Sequence, residues 1–355
     1  MKKYLVLENG TVFTGEAFGA QGDVVAEIVF TTSMVGYVEA LTDTCYKGQA
    51  ICQTFPLGGN YGVCLEDAET EGDGPAALIV RECAETPSNF RSDLSLDAFM
   101  QQKGIVGLKG IDTRSLTKIL RDEGTMNGAI VSDPASVDME ALKAYKITAP
   151  VAALSTKEET IVNPDGKYTI ALYDFGHKNG IVKELVDRDC AVHILPYDTD
   201  AAAVSALQPD GIVLSAGPGD PRECTAAIAA MQTLAAQKIP TMGIALGHQI
   251  LALANGFEIE KLPYGHRGGS QPVRNLTAGH LHITAQNHSY AVQNDSIDET
   301  VAVPYFVNVN DDSNEGLIYQ NAPAFSVQFQ PVYANGPTDT SYLYDQFLEL
   351  VQNRK

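Results

Sequence analysis

Residues 240–256, PTMGIALGHQILALANG, constrain this chain more than any other stretch. An apolar β run over 241–245 passes through Gly243-Ile244-Ala245-Leu246-Gly247 into an apolar helix predicted over 248–254. Glycines two residues either side of a central position form a nucleophile elbow, in which a strand turns sharply into a helix. The central side chain is then lifted above the sheet, and the next N–H points to where an oxyanion would develop. The central residue is Ala245, whose methyl group attacks nothing. The sequence therefore predicts the frame of a catalytic site without its nucleophile.

The text leading to the elbow has a regular rhythm. Strands are predicted over 168–175, 191–196 and 211–214, with helices over 179–187, 201–207 and 226–237 between them. Continuous apolar strands alternating with amphipathic helices predict a parallel sheet covered by helices. Ligands of such sheets sit beyond the carboxyl ends of the strands, so the loops at 174–177, 216–220 and 245–247 are expected to converge. In the second of these, Ser215-Ala216-Gly217-Pro218-Gly219-Asp220-Pro221, glycine lets a backbone N–H approach a ligand that a side chain would block.

Residues 1–149 read differently. Short β runs over 4–7, 11–13, 24–31 and 49–54 are separated by glycine turns. Gly58, Gly59 and Gly62 frame a loop with no phosphate-binding lysine after it, which reads as a structural turn. One helix is plain: Asp112 or Thr113 caps it, Leu116, Ile119 and Leu120 give it a buried stripe, and Gly124 stops it. Arg114, Lys118 and Arg121 fall on its solvated face. Residues 150–167 are polar, carry Pro150, Pro164 and Gly166 and have no sustained period, so they are read as a linker between domains 1–149 and 168–355.

Bulk charge excludes some partners. A net charge of −20 over 355 residues repels phosphates, so neither nucleic acid nor an anionic membrane is an expected partner. No apolar run reaches the ~20 residues of a membrane span, and the first residues move straight into a strand instead of a signal-peptide core. Six scattered cysteines form no C-x-x-C pair and suit reduced thiols in a cytoplasmic protein. His266, His280, His282 and His288 show no H-x₃-H spacing and have no cysteine partners; they are read as surface or pocket-lining residues, with no metal expected.

The elbow text resembles the GICLGHQ motif of class I glutamine amidotransferases, with Ala245 in place of cysteine, and residues 215–221 resemble the family's NGPGDP loop, with Ala216 for asparagine. Residues 31–63, the IDTR text and the run into Asn127-Gly128 resemble the amino-terminal domain of carbamoyl-phosphate synthase small subunits, which other amidotransferases of the class lack. The resemblance covers nearly all of the chain. It implies an α/β fold, with a doubly wound, mostly parallel C-terminal amidotransferase domain after a β-rich mixed α/β N-terminal domain. It also implies a large synthetase subunit as partner, which uses ATP and Mg, while this chain binds no cofactor of its own. The reaction implied is carbamoyl phosphate formation for pyrimidine and arginine synthesis.

By motif, the family's oxyanion hole maps to Gly217 and Leu246. Its glutamine contacts map to Cys45, Gly217, Gly219, Leu246, Gln249, Asn287, Ser289 and Tyr290; at Cys45 the family commonly has serine, a better hydrogen-bond donor. YGHRGGSQPV (264–273) and AQNHSYAV (285–292) resemble segments that shape that pocket. The family's base and its orienting carboxylate lie in an HPE motif that corresponds here to Gln330-Pro331-Val332, and no histidine follows His288. All three triad positions, Ala245, Gln330 and Val332, are thus replaced by residues that cannot attack, shuttle a proton or orient a base. The chain is expected to be a structural or ammonia-dependent subunit. Two alternatives stand beside this: an altered form of an active subunit, and a glutamine-binding sensor.

Overall fold

In a computed structural model, which describes residues 1–332 and 336–354, the chain divides into two compact units, Met1–Pro150 and Val151–Lys355.

The first unit is built on a closed seven-stranded barrel. Around it run Lys2–Leu7, Val12–Gly19, Val106–Lys109, Ala77–Ile79, Gln49–Gln53, Val24–Thr31 and Met126–Val131, the last pairing back to the first. Pairs Val24–Thr31/Gln49–Gln53, Gln49–Gln53/Ala77–Ile79 and Ala77–Ile79/Val106–Lys109 are parallel and the rest antiparallel. Alternate residues separate the two faces of these strands. Leu5, Leu7, Ile28, Cys52 and Ile79 pack with Leu116 and Leu120, whereas Val29, Ile51 and Leu78 pack with Tyr37, Leu96 and Phe99. The expected helix spans Thr113–Glu123, capped by Asp112 accepting from Ser115 N at 2.9 Å, with Gly124 at its end and Arg114, Lys118 and Arg121 exposed. The loop at 58–62 is a tight turn: a Cβ on Gly62, at φ +72, would stand 1.9 Å from Ser92 Oγ.

The second unit is one ten-stranded sheet. Its order is Thr160–Val162, Cys190–Pro196, Tyr168–Asp174, Gly211–Leu214, Thr241–Ile244, Ala324–Val327, Asn314–Tyr319, Ala302–Asn308, Ile259–Asn275 and Leu281–Val292. The strands from Cys190–Pro196 to Ala324–Val327 are parallel; the strand–helix part read from sequence supplies all of them but Ala324–Val327. The next four strands extend the sheet in antiparallel fashion. Chain order within the parallel half reverses between Tyr168–Asp174 and Gly211–Leu214, the place where open α/β sheets leave a crevice for ligands. Residues 150–167 contain a short helix, Pro150–Leu154, and the edge strand Thr160–Val162. Among the described residues no helix is long and apolar enough to cross a membrane, and all six cysteines are free thiols.

Candidate functional site

The elbow is built as its glycines require. The strand Thr241–Ile244 runs directly into the helix Leu246–Ala254, and Ala245 sits between them at φ 51, ψ −106. A Cβ on Gly243 would stand 2.8 Å from Gly247 O, and one on Gly247 would stand 2.2 Å from Leu214 O, so only glycine fits at either place. The turn is tied to the neighbouring strands: Ala245 N donates to Val327 O at 2.8 Å and Gly247 N to Ser215 O at 3.1 Å. A non-glycine residue held at positive φ costs ~1–3 kcal/mol. The backbone thus retains the strained turn that presents a nucleophile, while the residue on it is inert.

The glycine loop lies beside the elbow. A Cβ on Gly217 would meet Phe175 O at 2.3 Å and Leu246 Cδ2 at 2.9 Å, so the loops after three parallel strands do converge here. As first residue of its helix, Leu246 has no intrahelical acceptor for its N–H. Gly219 takes φ +90, and Asp220 closes the loop by accepting from Arg222 N at 3.0 Å and pairing with its guanidinium at 2.6 Å. The Arg222 guanidinium in turn lies 5.7 Å over the Tyr290 ring.

The residues mapped onto glutamine contacts have varied surroundings. Gln249 is buried and donates from Nε2 to Tyr290 O at 2.7 Å and to Gln328 Oε1 at 2.9 Å. Asn287 and Ser289 lie on the strand Leu281–Val292, where Ser289 Oγ accepts from Arg267 Nη2 at 2.5 Å. Cys45 belongs to the first unit, where it is buried and its N–H donates to Asp43 Oδ1 at 2.9 Å.

The residues that the motif aligns with the family's base and orienter, Gln330 and Val332, lie on the chain that leaves the strand Ala324–Val327. Gln330 is buried, donates its N–H to Ala285 O at 2.9 Å, and accepts at Oε1 from the ammonium of Lys178. Val332 packs near Gly180, where an added Cβ would lie 3.3 Å from Val332 Cγ1. Lys178 is 1% exposed and comes from the loop after Tyr168–Asp174. The sequence reading missed it, although it directly follows a loop expected to converge on the site. Lys178 Nζ thus meets the side chain of the residue that the motif aligns with the family's base.

Titratable groups on the elbow helix and after the glycine loop are shifted by burial. His248, on the elbow helix, is fully buried; Nδ1 faces Ser326 Oγ at 2.8 Å, and burial pushes its pKa down to about 3. Burial, with Glu223 and Asp220 near, pushes the Cys224 thiol up to about 12. Asp174 faces His177 Nδ1 at 2.8 Å and also accepts from the N–H groups of Gly176, His177 and Thr156, so it organises its own loop.

Two of the four histidines depart from the expectation of surface or pocket-lining residues. His266 and His288 are buried partners on paired strands, and with Glu315 they bring one ligand-type atom each to within 4.8 Å of one another. Burial opposes a charge on His266, yet hydrogen bonds to Asp311 and Glu315 hold its pKa up at about 9. Burial, and then the nearness of His266, hold His288 well below the ordinary imidazole value. Spacing along one helix does not register such a cluster, because it is assembled across strands.

Comparison with known proteins agrees with this architecture. The family described as carbamoyl-phosphate synthase small chain, CPSase domain, matches residues 5–130. Glutamine amidotransferase class-I matches residues 171–350. The carbamoyl phosphate synthase small chain of Listeria monocytogenes is 40% identical over 100% of this chain and 98% of its own length. Those of Bacillus cereus and Lactococcus lactis are 43% and 41% identical, again over 100% of this chain and over 97% and 99% of their own lengths. Two matched domains in order and full-length identity together place the chain in the family of carbamoyl-phosphate synthase small chains.

Proposed function

We propose that this chain serves as a small subunit of carbamoyl-phosphate synthase that supports synthesis from bicarbonate, ATP and free ammonia, and has lost hydrolysis of glutamine. The observation that carries the reading is the elbow: Ala245 holds the strained φ of 51° with no atom able to form a thioester. The rest of the triad region fits the same reading. Gln330 is engaged by Lys178, and an amide neither takes nor gives a proton near neutral pH. Val332 offers no acceptor to orient a base. Loss of one triad member typically lowers the rate ~10⁴- to ~10⁶-fold, and further losses add little.

The intended partner is a large synthetase subunit, which supplies the ATP- and Mg-dependent steps; pyrimidine and arginine synthesis would consume the product. By motif the Gly217 loop and the Leu246 N–H correspond to the family's oxyanion hole, so glutamine remains a candidate ligand held without turnover. The test is to mix the purified chain with a large subunit and follow carbamoyl phosphate formed from ammonium chloride and from glutamine. Activity with ammonia alone supports the reading. Equal activity with glutamine overturns it.

A further inference from the structure

The antiparallel half of the second unit's sheet carries a cluster that the glutamine chemistry does not use. His266 on Ile259–Asn275 and His288 on Leu281–Val292 stand opposite each other, and Glu315 comes from Asn314–Tyr319. All three are buried, Glu315 completely.

Each histidine has one ring nitrogen fixed from outside. His266 Nε2 faces the Asp311 carboxylate at 2.8 Å, and His288 Nδ1 faces Tyr290 O at 2.8 Å. Metal-binding histidines are oriented in this way, the outer N–H being given to a carboxylate or carbonyl so that the inner lone pair points at the ion. The inner atoms then meet: His266 Nδ1 lies 3.3 Å from Glu315 Oε1, which also accepts from Asn308 Nδ2 at 2.8 Å, and an ion bound at Nδ1 would displace the proton shared with Glu315. Donors bound tetrahedrally at zinc distances stand about 3.3 Å apart.

Two further features suit a bound cation. The second carboxylate oxygen of Glu315, Oε2, is buried and has no hydrogen-bond partner. An orphaned buried carboxylate oxygen is costly unless something positive meets it. The second feature is at His288, whose Nε2 faces Gln286 Oε1 at 3.0 Å. The amide orientation follows from its neighbours: Thr284 Oγ1 donates to Gln271 O at 2.9 Å and so accepts from Gln286 Nε2 at 3.2 Å. Both nitrogens of His288 therefore face acceptors, while a neutral imidazole has one N–H. A cation between Nε2 and Gln286 Oε1 removes that conflict.

We propose that His266 Nδ1, His288 Nε2 and the Glu315 carboxylate, with Gln286 Oε1 as a fourth donor, bind one divalent ion of the zinc class. Nitrogen and carboxylate donors in a closed four-coordinate set suit a structural zinc. Its role is to tie three strands together under residues 287–290, since Tyr290 O receives both the His288 and the Gln249 donors. Asp311 acts as a positioning residue that aims His266.

The test uses the full-length chain without a histidine tag, dialysed against a chelator and then reloaded with Zn²⁺ or Co²⁺. Expected are one Zn²⁺ per chain by elemental analysis, a rise in Tm on adding Zn²⁺, and the visible ligand-field absorption of four-coordinate Co²⁺. Glu315→Gln and His288→Asn should abolish all three readouts, Asp311→Asn should weaken affinity about 10- to 100-fold, and His280→Asn should change nothing. If a ligand variant does not fold, the wild-type stoichiometry and Co²⁺ spectrum still decide. Substoichiometric metal with no Co²⁺ band overturns the proposal and leaves the cluster as a metal-free histidine–carboxylate network. Retained binding in a folded Glu315→Gln chain also overturns it.

Discussion

The parallel and antiparallel halves of the second unit's sheet have been treated oppositely by their sequences. In the parallel half the backbone device survives intact: two obligatory glycines, a strained turn at Ala245 and a glycine loop packed against it. The residue it presents, Ala245, carries no nucleophile. In the antiparallel half the cluster at His266, His288 and Glu315 keeps its reactive side chains, buried and mutually oriented, beside a Gly265 held at φ +65 where a Cβ would stand 2.2 Å from His288 O. Backbone geometry and side-chain chemistry are therefore separable, and neither alone identifies a working site.

The largest expected effect breaks the comparison from the parallel side. The triple change Ala245→Cys, Gln330→His and Val332→Glu should raise ammonia release from glutamine by ~10⁴-fold or more, because the triad acts as a unit. Ala245→Cys alone should recover little, because no base would serve the thiol. A folded triple variant without activity would show that decay extends beyond the triad, whereas appreciable turnover by the unaltered chain would contradict the reading of the elbow.

A second change tests whether the elbow frame is as tight as it looks. Gly247→Ala places a Cβ 2.2 Å from Leu214 O, which backbone cannot yield cheaply. Overpacking of this kind costs ~1–3 kcal/mol or more, so the urea midpoint should fall clearly. An unchanged midpoint would mean that the turn relaxes freely.

Acid stability should report on the loop at the crevice. Burial opposes the charge of Asp174, but the His177 side chain and the N–H groups of His177 and Thr156 prevail and hold its pKa down at about 2. A carboxylate depressed in the folded state contributes stability that is present above its unfolded pKa and lost as pH falls through the folded one. That contribution is about 2 kcal/mol, complete above pH ~4 and lost toward pH ~2. Asp174→Asn should lower stability at neutral pH and flatten its dependence between those limits, read from denaturation midpoints across the pH range. An unaltered acid limb would remove Asp174 from the account.

The smallest effect is the most pointed. The strain at Ala245 should be relieved by Ala245→Gly, which accepts φ 51 freely. Relief of ~1–3 kcal/mol less a glycine entropy penalty of ~0.5–1 leaves a net gain of about 1 kcal/mol. A loss of stability instead would show that the surroundings, and not the residue, set the cost of the turn.

The elbow was legible because its information is local. Gly243, Ala245 and Gly247 lie within five residues, and sterics alone turn that text into a strand–helix corner. The helix Thr113–Glu123 was legible for the same reason, its cap, stripe and stop being contiguous. The barrel and the antiparallel extension were not, because pairing strands such as Lys2–Leu7 and Met126–Val131 depends on partners more than a hundred residues apart. The Lys178–Gln330 contact spans a similar gap, which no spacing rule could bridge.

By itself, then, the sequence determined that a sharp corner forms at Ala245, that no sulfur stands on it, and that no histidine follows His288 to serve one. Tertiary structure alone decided which cation meets Gln330, and which strands bring His266, His288 and Glu315 face to face. For the cluster the reason is register: side chains alternate across a sheet, and a slip of one residue would send each of its three groups to the opposite face.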